Sequence, residues 1–312
     1  NYTMAIFFHW DAASLDVWKN AFSDFNLDPD IRTHDSLGDV TDIKYAIVWA
    51  PPEGLLKTFL NLEYIFSIGA GVTHITLDPD APTDIPIVRL QDQQLVLDMS
   101  CHIIYMVLHF HRHYARYKRY QSEKKWQRDK YPENANRRVA VMGLGQTGLD
   151  VCARLRDLDF NVIGWSNSPK EIDGVSCLHG PEQFEGLLTK ADILINLLPL
   201  TPLTENIMNE AAFAQMPPGA YFINCSRGGT VVDNELIAAL DSGQLEAAAL
   251  DVFRTEPLSP ESPYWEHPAV TITPHAAAPS NERSAASFIA GNIRKHLDGG
   301  VPSPIVSPTK GY

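Results

Sequence analysis

Apolar runs and amphipathic stretches alternate regularly along the second half of the chain. Short buried strands are predicted near 139–142, 161–165, 192–198, 220–225, 246–252 and 270–273. Helical patterns lie between most of these strands, and a last helix is predicted over 281–297. Strands that alternate with helices are typical of a doubly wound parallel sheet, so we predict an α/β domain here.

The first hundred residues show a shorter version of the same pattern. Strands are predicted near 5–8, 46–49, 65–68 and 87–90, and helical patterns fill two of the gaps, near 14–25 and 53–60. At 312 residues the chain is long enough for two cores. We therefore predict an α/β protein of two Rossmann-like domains with doubly wound parallel sheets.

A long helix is predicted over 95–121, apolar at its start and basic at its end. The following stretch, 122–137, is polar and irregular but contains Trp126 and Tyr131. Long connections without regular structure are uncommon unless they have a function. We interpret this stretch as a dimerisation arm and expect a homodimer.

Composition and charge narrow the function classes. The hydrophobic fraction of 45% and the charged fraction of 20% are ordinary for a globular protein. A formal net charge of −13 disfavours binding to nucleic acid or to an anionic membrane. No apolar run is long enough to span a bilayer, and residues 1–8 resemble a first strand rather than a signal peptide. Four scattered cysteines indicate reduced thiols, so we predict a cytoplasmic protein.

A glycine-rich turn of the form G-x-G-x-x-G joins the strand at 139–142 to a helix predicted over 149–158. In that context the first glycine permits the tight turn, the second lets the backbone approach a pyrophosphate, and the third lets helix and strand pack closely. The helix amino end then faces the phosphate charge. The residues of this turn that we expect to contact a dinucleotide are Gly143, Gly145, Gln146, Thr147 and Gly148.

The position of this turn in mid-chain predicts how the domains are arranged. We assign 101–282 to the dinucleotide-binding domain, including the arm, and 1–100 plus 283–312 to a discontinuous substrate domain. Two domains joined by two crossing segments would form a cleft, which is a usual place for an active site.

The residues after the second strand of the dinucleotide domain bear on the choice of cofactor. Enzymes that bind NAD usually have an acidic residue there for the ribose 2′-hydroxyl, whereas this chain has Ser166, Asn167, Ser168 and Lys170. An acidic residue would repel a 2′-phosphate, and these residues would accept one. We therefore predict NADP(H) as the preferred cofactor, with NAD(H) also possible.

Charged side chains follow three later strands of the same predicted sheet. Arg227 precedes two glycines, Asp251 and Glu256 follow the next strand, and His275 follows the last one. Ligands bind at the carboxyl ends of strands in open α/β sheets. Reduction of a 2-keto acid requires a cation for the carboxylate, a proton donor for the carbonyl oxygen, and a carboxylate that keeps an imidazole protonated. A structural salt bridge at Arg227 and a loop-capping role for His275 are the alternatives.

The motifs, taken in order, resemble the D-isomer-specific 2-hydroxyacid dehydrogenases over nearly the whole chain. The segments that carry this resemblance are 143–148, 225–229, 250–257 and 274–275. Further segments are similar to the bacterial glyoxylate/hydroxypyruvate reductase A group, namely 47–52, 67–72, 195–199, 239–243 and 311–312. That group often has arginines where this chain has Asn167 and Pro169, so the strictness of the NADP preference stays open.

The resemblance implies a role for each site residue. His275 would donate the proton, Glu256 would hold it, and Arg227 would bind the substrate carboxylate. Asp251 and Ser226 would lie near the nicotinamide, and Trp126 would come from the dimer arm. Substrate contacts would also come from the first domain, at Trp49, Ala70, Gly71 and Val72. Besides the residues of the glycine turn and of 166–170, the expected cofactor contacts are Leu198, Pro199, Thr204, Cys225, Ser226, Arg227, Asp251 and His275.

The function implied is reduction of glyoxylate to glycolate and of hydroxypyruvate to D-glycerate, with a small 2-keto or 2-hydroxy acid as the partner and no metal. Two alternatives stay open. One is another D-2-hydroxyacid dehydrogenase of the same family. The other is a dinucleotide-sensing protein without catalytic activity, similar to the corepressors that share this fold.

Overall fold

The computed structural model describes residues 4–10 and 13–306. The segment 311–312, which contributed to the resemblance, lies outside the described residues. The chain divides into two compact units: unit 1 is Asn1–Leu95 with Ser280–Tyr312, and unit 2 is Val96–Pro279.

Unit 1 is built around a five-stranded parallel sheet. Its strands are β1 (Ala5–His9), β2 (Asp30–Arg32), β3 (Ile43–Val48), β4 (Tyr64–Ser67) and β5 (Ile87–Val88). They pair in the order β2-β1-β3-β4-β5, and all of these pairs are parallel. This order is that of flavodoxin-like sheets, in which the strand order reverses between β1 and β3.

Three α-helices belong to unit 1 in the described part of the chain, namely α1 (Leu15–Asp24), α2 (Thr73–Thr76) and α9 (Glu282–Leu297). Trp18 and Phe22 of helix α1 are four positions apart, so they lie on the same face of the helix. That face is buried, and both side chains are almost completely inaccessible to solvent. The amino end of α1 is capped from the other end of the chain: Glu282 accepts a hydrogen bond from the Ser14 amide at 2.6 Å. Helix α9 also buries Ala285, Ala286, Ile289, Ala290 and Ile293, so it belongs to the core of unit 1.

Unit 2 contains a seven-stranded parallel sheet. Its strands are β6 (Arg138–Met142), β7 (Asn161–Ser166), β8 (Ser176–His179), β9 (Ile193–Asn196), β10 (Ala220–Asn224), β11 (Leu245–Leu250) and β12 (Val270–Ile272). The order is β12-β11-β10-β9-β6-β7-β8, which is the Rossmann order with one added strand. The predicted fold class, two Rossmann-like units with doubly wound parallel sheets, is confirmed.

Helices cover both faces of the unit 2 sheet. They are α3 (Gln93–His111), α4 (Tyr114–Ser122), α5 (Gln146–Asp157), α6 (Phe184–Leu188), α7 (Glu210–Gln215) and α8 (Asp233–Asp241). Alternate residues of β6 face the two sides: Ala140 and Met142 belong to one buried apolar cluster, Val139 and Val141 to the other. Burial on both faces explains why the strands of this half are almost continuously apolar.

The structure corrects two predicted helices. The helix predicted over 95–121 is two helices, because α3 ends at His111 and His113 adopts a left-handed conformation with φ of 56°. The helix predicted over 53–60 is one 3₁₀ turn at Leu56–Thr58. Gly54, with φ of 72°, has a left-handed backbone that an α-helix cannot include.

Two strands escaped prediction for a common reason. β2 and β8 are edge strands with mostly exposed or half-buried residues, so they lack the apolar run that marks the central strands. No helix in the described part of the chain is long and apolar enough to cross a membrane. The four cysteines are unpaired; Cys152 and Cys225 are buried, whereas Cys101 is exposed.

Candidate active site

The glycine-rich turn follows β6 with a backbone that only glycine adopts readily. Gly143 has φ of 101°, and its amide donates to the Trp165 carbonyl at 2.8 Å. A Cβ on Gly143 would lie 2.9 Å from the carbonyl carbon of Leu197. The turn thus passes directly over the chain that leaves β9, at the point where the strand order of the sheet reverses.

The other two glycines of the turn serve different needs. A Cβ on Gly148 would lie 1.9 Å from the Gly143 carbonyl oxygen. Helix α5 can therefore lie this close to the turn only with glycine at position 148. Gly145 caps α5, and a Cβ there would meet no heavy atom within 4 Å. The space before the amino end of α5 is therefore open. Unpaired amides beside open space fit the pyrophosphate of a dinucleotide.

The end of β7 has the features expected for a ribose site. Ser166 is 9% exposed, and its hydroxyl donates to the Ser168 carbonyl at 2.7 Å, which folds the turn back. Asn167, Ser168 and Lys170 are exposed along this turn. The loop after β9, on the other side of β6, is closed by Thr204, whose hydroxyl donates to the Pro199 carbonyl at 2.5 Å.

A buried polar network joins the loops after β9 and β10. Asn196 is fully buried, and its amide nitrogen donates to the side-chain oxygen of Asn224 at 3.1 Å and to the Thr230 hydroxyl at 2.8 Å. The Thr230 hydroxyl in turn donates to the Arg227 carbonyl at 2.7 Å. The Asn196 oxygen accepts the Leu198 amide at 3.1 Å. A fully satisfied network of this kind holds both loops in one arrangement.

Residues 225–228 connect this network to the charged groups. Cys225 is buried, which raises the pKa of its thiol, and the Ser226 hydroxyl donates to the Leu198 carbonyl. The Arg227 guanidinium donates to the Ser226 carbonyl at 2.7 Å. Burial lowers the pKa of Arg227, and the charge of Glu256 opposes that shift. A partly desolvated arginine suits recognition of a carboxylate.

His275 and Glu256 form a hydrogen-bonded pair. The Nδ1 atom of His275 lies 2.7 Å from Oε2 of Glu256, and the other carboxylate oxygen accepts the Phe253 amide at 2.9 Å. Burial raises the pKa of the Glu256 carboxyl. The hydrogen bonds from His275 and Phe253 and the charges of His275 and Arg227 outweigh that effect, so the pKa lies below its ordinary value. Glu256 is therefore ionised and orients the imidazole.

Asp251 holds the loop that carries His275. Its carboxylate is 1% exposed, and Oδ1 accepts the Thr273 hydroxyl at 2.6 Å and the Ala276 amide at 2.8 Å. Both of its oxygens also accept the Ala277 amide at 3.1 Å. His275 lies between these anchors with φ of 52°, a conformation rarely adopted without glycine. The buried carboxylate thus maintains the turn that presents the imidazole.

In unit 1, the structure places the predicted substrate residues at the ends of two neighbouring strands. Trp49 follows β3, beside the reversal in strand order, and its amide donates to the His9 carbonyl at 2.8 Å. Ala70, Gly71 and Val72 follow β4; Ala70 is exposed, whereas Val72 is 3% exposed. These four residues therefore lie beyond the carboxyl ends of β3 and β4.

Comparison with known proteins agrees with this arrangement. Residues 104–277 match the family model for the NAD-binding domain of D-isomer specific 2-hydroxyacid dehydrogenases. The chain belongs to the D-isomer-specific 2-hydroxyacid dehydrogenase family. The predicted family and the prediction of an enzyme are therefore confirmed.

Several members of the dehydrogenase family are similar to this chain over most of their length. Glyoxylate/hydroxypyruvate reductase A of Serratia proteamaculans is 40% identical over 280 residues, which cover 88% of this chain and 90% of the relative. A dehydrogenase of the family from Xanthobacter autotrophicus, solved with NADPH and MES, is 37% identical with a TM-score of 0.93, covering 99% of this chain and 100% of its own. An NADPH-dependent glyoxylate/hydroxypyruvate reductase from Sinorhizobium meliloti, solved with NADP and sulfate, is 33% identical with a TM-score of 0.91 and the same coverage.

The sequence pattern indicated the charged groups of this dehydrogenase but missed their supports. Asn196, Asn224 and Thr230 hold the Arg227 loop, although each belongs to a segment that reads as an apolar strand or a loop. A polar residue at the last position of two adjacent buried strands is the signal that could have shown this network.

We expect Asp251→Asn to destabilise unit 2 while leaving the fold intact. The asparagine side chain has one oxygen instead of two, so it cannot accept all the hydrogen bonds that Thr273, Ala276 and Ala277 donate to the carboxylate. Hydrogen bonds to a charged group are worth about 1.5–3 kcal/mol. The free energy of unfolding from a urea titration should fall by that amount. Asp241→Asn is the control, because Asp241 is 70% exposed and should change stability by less than about 0.5 kcal/mol. Equal unfolding midpoints for the two variants would contradict the role of Asp251 in holding the His275 loop.

A second prediction concerns Gly145→Ala. The added methyl group meets no protein atom, so the unfolding midpoint should stay near that of the wild type. The methyl group would occupy the space before α5, so the Kd for NADPH, from a fluorescence titration, should rise at least about tenfold. Gly186→Ala, on helix α6, is the matched control, since its Cβ has only one neighbour at 4.0 Å. Unchanged affinity in Gly145→Ala would place the pyrophosphate elsewhere.

Proposed function

We propose that this protein reduces small 2-keto acids with NADPH, converting glyoxylate to glycolate and hydroxypyruvate to D-glycerate. The observation that carries the proposal is the 2.7 Å pair of His275 and Glu256 on the NAD-binding domain, with the charge of Arg227 beside it. These residues follow three adjacent strands, β10, β11 and β12. They supply a cation, a proton donor and a carboxylate at the carboxyl ends of these strands.

Each side chain has a separate task in this reaction. Glu256 occupies Nδ1 of His275, which leaves Nε2 to hold the proton for the carbonyl oxygen of the substrate. Arg227 pairs with the substrate carboxylate and fixes the orientation of the keto group. When bound, the reduced nicotinamide supplies the hydride for the carbonyl carbon. The carboxylate of Glu256 stabilises the imidazolium before the proton is transferred.

Two similarities support the substrate class. The relative from Serratia proteamaculans and the solved reductase from Sinorhizobium meliloti are both named for glyoxylate and hydroxypyruvate. The roles proposed for Trp49, Ala70, Gly71 and Val72 stay predictions from the sequence. So does the cytoplasmic location.

The preference for NADP(H) rests on the turn after β7. Ser166, Asn167, Ser168 and Lys170 offer hydroxyls, an amide and one cation where an NAD-binding site would offer an acid. Two similar solved proteins were crystallised with NADPH or NADP. NAD(H) remains a possible second cofactor, because Asn167 and Pro169 provide no charge.

We also propose that the arm at 122–137 joins two copies of the chain. Asp129 anchors the base of the arm through Arg116, 3.2 Å away, and through the Tyr117 hydroxyl, which accepts its amide at 3.1 Å. Trp126 nevertheless has a relative exposure of 105%. A rigidly anchored segment with a large exposed aromatic side chain is typical of an interface, and sedimentation would establish the number of copies.

The proposed function predicts a specific loss in His275→Ala. Removing a general acid costs about 10²–10⁴ in kcat. NADPH oxidation should be measured at 340 nm with glyoxylate, hydroxypyruvate, pyruvate and phenylpyruvate. The Kd for NADPH should rise far less than kcat falls, because His275 is only one of many expected cofactor contacts. His34→Ala is the control, because His34 is exposed on unit 1.

The same assay separates the alternatives. Turnover of pyruvate or phenylpyruvate in preference to the two smaller acids would indicate another dehydrogenase of the family. NADPH binding without turnover of any keto acid would favour the non-catalytic sensor. Full activity in His275→Ala would refute the assigned proton donor.

Cofactor choice is tested by Lys170→Ala. Loss of a charged hydrogen-bond donor to the 2′-phosphate should raise the Kd for NADPH about tenfold and leave the Kd for NADH unchanged. Lys190→Ala, which removes an exposed lysine at the end of a short helix of the same unit, should alter neither value. Equal effects on both cofactors would show that Lys170 does not contact the phosphate.

A further inference from the structure

The indole of Trp49 is fixed by two neighbours in unit 1. A Cβ on Gly69 would lie 2.4 Å from Cζ3 of Trp49, so the ring rests against bare backbone. The His74 ring, on helix α2, lies 4.3 Å from the indole, centroid to centroid, at an interplanar angle of 37°. The ring therefore has little freedom on the sides that Gly69 and His74 occupy.

His74 is itself held by a buried hydroxyl. The Ser67 side chain is fully buried, and its Oγ lies 2.9 Å from the Gly69 carbonyl oxygen and 3.0 Å from that of Gly71. These carbonyls accept the hydroxyl proton, and Nε2 of His74 lies within hydrogen-bond distance of the same Oγ, 3.4 Å away. One hydroxyl thus ties together the predicted substrate loop and the ring that packs on Trp49.

We propose that His74 is a positioning residue that sets substrate size by holding Trp49. The inference rests on the proposed function, since it takes Trp49 as a wall beside the group attached to the keto carbon. If His74 is removed, Gly69 still blocks the indole on one side, and the side that the imidazole occupied becomes open to movement of the ring. Movement in that direction gives a larger side chain more room and leaves glyoxylate, which has none, almost unaffected.

The experiment compares His74→Ala with His74→Phe. The alanine variant should raise kcat/KM for phenylpyruvate relative to glyoxylate by about two- to ten-fold, the worth of one aromatic pair. His74→Phe restores a ring against the indole and should return the ratio towards the wild-type value. His296→Ala is the matched control, because it removes a histidine that lies 4.8 Å from the Tyr64 ring at the opposite end of β4.

A spectroscopic measurement reads the position of Trp49 without turnover. Subtracting the emission of Trp49→Phe from that of the parent isolates one of the six tryptophans. The isolated emission should shift to longer wavelength in His74→Ala and not in His74→Phe or His296→Ala. An unshifted emission, or an equal loss of rate with every keto acid, would overturn the proposal.

The two proposals fail in different ways. If the wild type reduces no keto acid, the proposed function fails, and the size limit attributed to Trp49 fails with it. If glyoxylate is reduced but the substrate ratio in His74→Ala is unchanged, only the positioning role is wrong.

Discussion

Parallel pairing of every strand in the unit 2 sheet is the constraint on which the site depends. A parallel pair requires a crossover that carries the chain back before the next strand begins, so all seven strands end at one edge. Gly143, Arg227, Glu256 and His275 are spread over more than a hundred positions, yet each follows a strand that ends there. The chemistry of the site is therefore assembled by topology rather than by proximity in the chain.

The proposed substrate is an anion, whereas the protein has a formal net charge of −13. At physiological ionic strength charges are screened over about 8 Å, so the distant acidic surface matters less than the nearest groups. Arg227 is desolvated, which strengthens its field, and Glu256 is already committed to His275 and to the Phe253 amide. The local balance can thus favour a carboxylate where the global charge does not.

The sequence was sufficient for the central strands, the glycine turn and the residues at the strand ends, because each produces a strong local pattern. It was insufficient where structure depends on partners far away in the chain. The break at His113 leaves no mark in the apolar pattern of the chain. The edge strands β2 and β8 lack an apolar run of their own. Asn196 and Thr230 are 34 positions apart and become meaningful only as hydrogen-bond partners. The same is true of Asp251, whose predicted place near the nicotinamide did not include its hold on the His275 loop.

Gly228 has a consequence for how this site can vary among relatives. A Cβ at this position would lie 1.9 Å from the Phe253 carbonyl carbon and 2.2 Å from the Arg254 nitrogen, so two main chains touch without any side chain between them. The loop of the cation and the loop of the carboxylate therefore share one boundary, and neither can be lengthened or reshaped while the other stays still. Over evolutionary time the two loops should therefore change together, because a substitution that reshapes one of them requires a compensating change in the other.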